Sequence, residues 1–157
     1  YIEEHLLNGH LNVQTEPFIL ITYTPKGTDL RLPLSVTPPI VTALAPLVLA
    51  LRFSACNTLF IEEPEMCLHP ELQWCLAKVL VMLAQKGITI IFTTHSDIIY
   101  TYFTQLAIPT ELSKDKVSLY EFKHLDGTTN IKELSPEDTT ETLFATTLNR
   151  ILGELVN

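Results

Sequence analysis

Two short runs of apolar and β-branched residues, Thr58–Ile61 (TLFI) and 88–92 (ITIIF), flank a longer stretch, 70–86, that is apolar at nearly every position from 72 to 84. Runs of four or five such residues bounded by turn formers are strand-length, and the stretch between them is helix-length. Strand, helix and strand in this order make a βαβ unit, whose two strands lie parallel because the helix carries the chain back to the same end of the sheet. Pro70 suits a first helical position, where a missing N–H is no loss, and Gly87 can end the helix in left-handed backbone. The unit commits the chain to an α/β architecture.

The remainder fits around it. Residues 17–24 (PFILITYT), the turn formers PKGTD and residues 30–34 read as a β-hairpin. Pro39–Phe53 predicts a buried helix; its apolar run is interrupted by Thr42 and Pro46 and closed by Arg52, well short of the ~20 residues of a membrane span. A helix is expected over 97–106 with Ser96 as its N-cap. Residues 117–123 and 130–134 flank HLDGTT as a second hairpin, and 137–155 predicts a closing helix whose acidic start, within 133–141, is a solvated first turn. With 157 residues and no internal repeat, a single domain is expected.

Charge and cysteine usage narrow the function classes. A net charge of −8 and a pI near 5.0 argue against a preformed surface for duplex DNA or an anionic membrane. Cys56, Cys67 and Cys75 form no CxxC pair, so neither a disulfide framework nor a zinc ribbon is indicated, and a reducing, cytoplasmic setting fits. Cys67, His69 and Cys75 do not have the spacing of a zinc site. His69 reads as a ring packed before the helix, His5, His10 and His124 as surface residues, and the helix around Trp74 as core.

Chemistry concentrates where the two strands end. Ligands of open parallel sheets bind beyond the carboxyl ends of the strands. There the first strand runs into Glu62 and Glu63, and the second into Thr93, Thr94 and His95. Adjacent residues of an extended chain point to opposite sides, so two neighbouring carboxylates can serve different tasks: one holding a hydrated Mg²⁺, the other polarising a water. The histidine could contact a terminal phosphate.

The order LFIEEPEMCLHP, helix, IIFTTHSD resembles the second half of the nucleotide-binding head of ABC-type ATPases, in the OLD-like and SMC-like branch of intracellular AAA/ABC proteins. The resemblance implies a partial P-loop NTPase fold with parallel strands, flanking helices and β-hairpins. It places Glu62 at the Mg²⁺-associated acid of Walker B, Glu63 at the catalytic base, residues 65–70 at the D-loop and His95 at the switch histidine. Upstream, LPLSVTPPIVTALAPLVLALR resembles the signature segment, with Ser35 and Thr37 as the hydroxyls that would reach ATP on a partner head. The implied cofactors are ATP and Mg²⁺, and the implied partner is a second head, most simply a second copy. DNA is compatible as a partner of other parts of a full protein.

Three departures accompany the resemblance. Thr37, Pro38 and Pro39 stand where the branch has Ser-Ser-Gly, and two prolines remove two N–H donors from a phosphate-facing helix start. Glu62 replaces Asp. No GxxxxGK[ST] loop occurs in the sequence. Because the chain opens at Tyr1 without an initiator Met, it is expected to be the C-terminal lobe of a head whose phosphate-loop lobe lies upstream, and to be inactive alone. Two other readings stand beside this one: a non-catalytic dimerisation or regulatory scaffold derived from such a head, and a metal-dependent nuclease or phosphatase using Glu62, Glu63, Glu65 and His95 directly.

Overall fold

A computed structural model of the chain describes residues 1–54 and 56–135. The expected closing helix, 137–155, lies outside the described residues. Two compact units divide the chain, Tyr1–Thr94 and a second beginning at His95.

The first unit contains two sheets. β1 (Gly9–Gln14) pairs antiparallel with β2 (Leu20–Pro25), and β2 with the two-residue β3 (Leu32–Pro33). The hairpin expected around PKGTD is therefore present as β2–β3, while β1 was not anticipated. Its sequence, GHLNVQ, alternates weakly, and it owes its place to pairing with β2. Gly9 opposes Pro25 at the start of the ladder, and a Cβ there would lie 2.6 Å from Cζ of the Tyr23 ring. Tyr23 is buried, and its hydroxyl reaches the carbonyls of Leu7 at 2.5 Å and Asn8 at 3.0 Å. Only a residue without a side chain lets the strand pass this close to the ring.

The outward-facing edge of β1 is sealed by an ion pair. Leu11 N–H donates to Glu3 Oε1 at 2.7 Å, Arg52 Nη1 donates to the Leu11 carbonyl at 2.7 Å, and Arg52 also pairs with Glu3. A carboxylate and a guanidinium thus stand where a further strand's C=O and N–H would stand. Burial works to raise the Glu3 pKa, but the Leu11 N–H and the Arg52 charge outweigh it and hold the carboxyl below its ordinary value.

The βαβ unit forms as expected. β4 (Thr58–Ile61) and β5 (Thr89–Phe92) are parallel, in register Thr58↔Thr89 to Ile61↔Phe92, with α2 (Pro70–Gln85) as the crossover. The end of α2 is a Schellman motif: Gly87 N–H donates to the Ala84 carbonyl at 2.9 Å and Ile88 N–H to Leu83 at 3.2 Å, with Gly87 at φ +87°. α1 (Pro39–Phe53) precedes β4 and carries Arg52 in its last turn.

Two expectations about helix burial are corrected. α1 buries only the face of Val41, Leu44, Ala45, Leu47 and Val48; Thr42, Ala43 and Pro46 are exposed, and being small or ring-closed they leave little apolar area to hide. In α2, Leu76, Ala77, Val79, Leu80 and Val81 are buried, yet Trp74, Lys78 and Met82, four residues apart, form an exposed stripe. Trp74 is thus a flank of the helix and not its core. His69 is likewise exposed; Leu68 is the residue of that loop that packs inward. His5, His10 and His124 lie at the surface as expected.

In the second unit, Ser96 caps α3 (Asp97–Thr101), its Oγ accepting from the N–H of Ile98 at 3.2 Å and Ile99 at 3.1 Å. The helix expected to run straight to 106 instead widens into a π-helical turn, Tyr102–Ala107, before α4 (Ile108–Thr110). Thr104 and Thr110 hydroxyls bond back to the carbonyls of Tyr100 and Leu106, competing for acceptors that a regular α-helix would use. β6 (Leu119–Leu125) and β7 (Thr128–Leu134) form the second hairpin, closed by Asp126 and Gly127, both at positive φ as a two-residue I′ turn requires. No helix among the described residues is long and apolar enough to cross a membrane.

Candidate functional site

β4 and β5 run parallel, so both chains leave the sheet at the same end. β4 continues into Glu62 and Glu63, and β5 into Thr93 and Thr94. Glu62 is exposed and makes no hydrogen bond or ion pair among the described residues, whereas Glu63 is half-buried. The neighbouring carboxylates therefore have different surroundings.

After Glu63 the chain turns tightly. Glu63 has φ +42°, Pro64 is buried, Met66 N–H donates to the Glu63 carbonyl at 3.0 Å and Leu68 N–H to Glu65 at 2.9 Å. Cys67 also adopts positive φ, +65°. A turn with two left-handed residues and no glycine stores backbone strain, and such strain persists only where surrounding bonds hold it. Here the holding bonds come from the end of β5. Glu63 N–H donates to Thr93 Oγ1 at 3.1 Å, and Thr94 Oγ1 donates to Glu65 Oε1 at 2.7 Å. Thr94 closes the first unit, and His95, exposed, follows it in the chain as the first residue of the second.

The threonine hydroxyls at this rim are the groups that motif matching left without a role. A signal for them was present: with Ile61 paired to Phe92, register arithmetic sets Thr93 beside Glu62 and Thr94 beside Glu63. What it could not supply was the departure of the backbone at Glu63, which turns a main-chain rung into a side-chain one.

Ser35 and Thr37 stand apart from this group. Ser35 is exposed in a 3-10 turn, Leu34–Val36, and Thr37 is tied to that turn through its N–H at 3.3 Å and its hydroxyl at 2.8 Å, both on the Leu34 carbonyl. At the start of α1, Pro39 has no N–H and Val41 N–H is turned back onto the Pro38 carbonyl at 2.9 Å. Few donors face outward there.

The acid pair occupies an open rim. Two grooves of the first unit, of about 810 and 290 Å³, are lined respectively by β1–β3 residues with Arg31 and Arg52, and by Tyr1–Glu3 with α1 and α2 residues; neither includes Glu62, Glu63 or Thr93. Among the described residues no three His, Cys, Asp or Glu side chains converge as a metal site. A lone exposed carboxylate such as Glu62 still fits Mg²⁺, which commonly takes one or two protein carboxylates and completes its shell with water and phosphate.

Comparison with known proteins bears on the fold. Residues 41–100, from α1 to α3, match the family model of an AAA domain described as putative AbiEii toxin, Type IV TA system. A chain solved in work on ATP-driven dimerization and DNA-stimulated activation of SMC ATPases superposes with TM-score 0.58 at 16% identity, over 96% of this chain and 83% of that one. The fold is similar to that of an SMC ATPase head. The Smc head domain of Pyrococcus furiosus, with an extended coiled coil and bound to the C-terminal domain of ScpA, superposes with TM-score 0.56 at 16% identity; the match covers 96% of this chain and 34% of that one. No curated protein matches the chain. The α/β expectation, with a parallel sheet and flanking helices of P-loop NTPase type, is met by this head-like fold.

Proposed function

We propose that this chain is the C-terminal lobe of an ABC-type ATPase head of the OLD-like/SMC-like branch. It hydrolyses ATP when joined to a lobe carrying the phosphate loop and paired with a second head, most simply a second copy. The observation that carries the reading is the shared exit of β4 and β5, with the turn after Glu63 bound to the two threonines that precede His95. The bare face of the sheet adds to it. Phe60 and Ile91, directly opposed in register, are 76% and 51% exposed. Parallel strands normally have both faces covered, so this face suits a further lobe.

In the complete head, Glu63 orients the attacking water and accepts its proton, His95 contacts the γ-phosphate, and Glu62 holds the water shell of Mg²⁺. Bound Mg²⁺ supplies charge neutralisation at the phosphates. Glu63 is half-buried and Glu62 exposed, which suits a base at the first and a hydrated ion at the second. Such an enzyme belongs in the cytoplasm, where ATP is available, and DNA would be met by other parts of the protein.

The test is ATP turnover by the complete polypeptide carrying this sequence. Glu63→Gln keeps the shape and removes the base, and a fall in kcat of about a hundredfold or more is expected. A variant as fast as its parent removes Glu63 from the mechanism.

One observation favours the scaffold reading. Prolines and inward-turned bonds leave the start of α1 poor in donors, and Thr37 already gives its hydroxyl proton to Leu34. If that start cannot engage a partner's nucleotide, ATP will not drive pairing. Light scattering with and without ATP, on the Glu63→Gln protein, separates the two: ATP-dependent dimers support the ATPase, ATP-independent dimers the scaffold. The metal-dependent phosphoesterase draws no support from the described residues, where no preassembled cluster of ligands exists.

A further inference from the structure

We infer that the hydroxyls of Thr93 and Thr94 form a two-point latch that fixes the backbone of the Glu63 turn, making Thr93, Thr94 and Glu65 positioning residues for the base. The latch itself stands on the geometry of the first unit; its effect on turnover rests on the ATPase reading.

The parallel ladder shows where the latch takes over. Thr89 N–H donates to the Asn57 carbonyl at 2.8 Å and Thr93 N–H to Ile61 at 3.1 Å, so donation from this segment to β4 continues one residue past the end of β5. Continued one rung further, the ladder would pair the Glu63 N–H with a main-chain carbonyl of the neighbouring strand. Glu63 has instead swung to φ +42°, and the Thr93 hydroxyl accepts its N–H. A side chain has replaced the main-chain acceptor at the residue where the strand becomes a turn.

That substitution matters because nothing intrinsic to Glu63 favours its shape. An L residue adopts positive φ reluctantly, and a following proline restricts the preceding residue further. Three bonds hold the strained residue and its neighbour: Thr93 Oγ1 on the Glu63 N–H, Met66 N–H on the Glu63 carbonyl, and Thr94 Oγ1 on the Glu65 carboxylate. Two of the three come from consecutive residues, and His95 is the next in sequence. Whatever displaces the segment leading into His95 must therefore pull on both ends of the turn that carries the base.

Thr→Val keeps the side-chain shape and deletes the hydroxyl; Thr→Ser keeps the hydroxyl. In the complete polypeptide, Thr93→Val is expected to speed hydrogen exchange at the Glu63 amide about tenfold and to lower kcat about tenfold with KM little changed. Thr93→Ser should restore both. Thr94→Val should lower kcat less, and add nothing in a Glu65→Ala background, because the two remove the same bond. Unchanged exchange at Glu63 in Thr93→Val overturns the latch, as does Thr93→Ser being as impaired as Thr93→Val, since the hydroxyl it retains would then hold nothing. If the parent protein turns over no ATP, the ATPase reading falls, and the latch is decided by the exchange rates alone.

Discussion

Within Tyr1–Thr94, the antiparallel and parallel sheets resolve their exposed polar and apolar groups in opposite ways. β1–β2–β3 is closed within this unit: the Leu11 edge is occupied by Glu3 and by Arg52 of α1, and Tyr23 fills the space under Gly9 while its hydroxyl donates toward the Leu7 and Asn8 carbonyls. Leu20, 42% exposed, is its large apolar side chain left to solvent. β4–β5 buries Leu59 but leaves Phe60 and Ile91 bare, and its chemistry-bearing end lies on an open rim. A self-sufficient sheet is where stability should reside. An unfinished one is where function should be added from outside.

The comparison is broken most easily at Gly9. Gly9→Ala forces a methyl against the Tyr23 ring and the Thr24 carbonyl, one of them backbone that cannot swing aside. A loss of about 3 kcal/mol is expected from overpacking, read as a lowered denaturation midpoint with unchanged slope. A loss under about 0.5 kcal/mol would mean that the antiparallel sheet is not the tightly fitted half. Tyr23→Phe comes next. It leaves the ring and removes the hydroxyl shared by two carbonyls, at a cost of about 1–2 kcal/mol in the same measurement.

The contrast also explains what could be read before any coordinates. The βαβ unit was legible because its signals are local and agree: strand-length apolar runs, Pro70 at the helix start, Gly87 in the Schellman turn. Ser96 was legible as a cap for the same reason. β1 was not, because GHLNVQ becomes a strand only through β2 and through an ion pair whose members are 49 residues apart. The exposed face of Trp74 and Met82 was hidden by composition, since an apolar helix does not say which of its sides a small unit has material to cover. At the site, residue types marked Glu62, Glu63 and His95. The left-handed Glu63 and its bond to Thr93 are products of tertiary fit, which no spacing rule encodes.

The edge seal sharpens the comparison by a smaller amount. Glu3→Gln keeps an acceptor for the Leu11 N–H but loses the charge facing Arg52, and about 1 kcal/mol of stability with it, since both side chains are partly solvated. The pH dependence has a definite sign. Because the folded-state pKa of Glu3 is depressed, its stabilisation is present above the ordinary carboxylate pKa and disappears as pH falls through the lowered one. Thermal melts of parent and variant should therefore differ at pH 7 and converge only in acid, once the pH has fallen below the lowered Glu3 value. A gap that persists unchanged into acid would place the effect elsewhere than in the Glu3 charge.

The smallest effect on this chain should come from the unfinished face. Phe60 is 76% exposed, so Phe60→Ser removes little buried area and should shift the stability of the 157-residue chain by no more than about 0.5 kcal/mol. In the complete polypeptide the same substitution should cost about 2 kcal/mol, because a lobe that covers β4–β5 must bury the ring, and a fully buried Phe contributes on that scale. The quantity of interest is the difference between the two contexts. A large difference means that the face is an interior surface exposed only in isolation. Equal, near-zero effects would make Phe60 and Ile91 ordinary surface residues, and the parallel sheet would then offer no physical reason to expect a covering lobe.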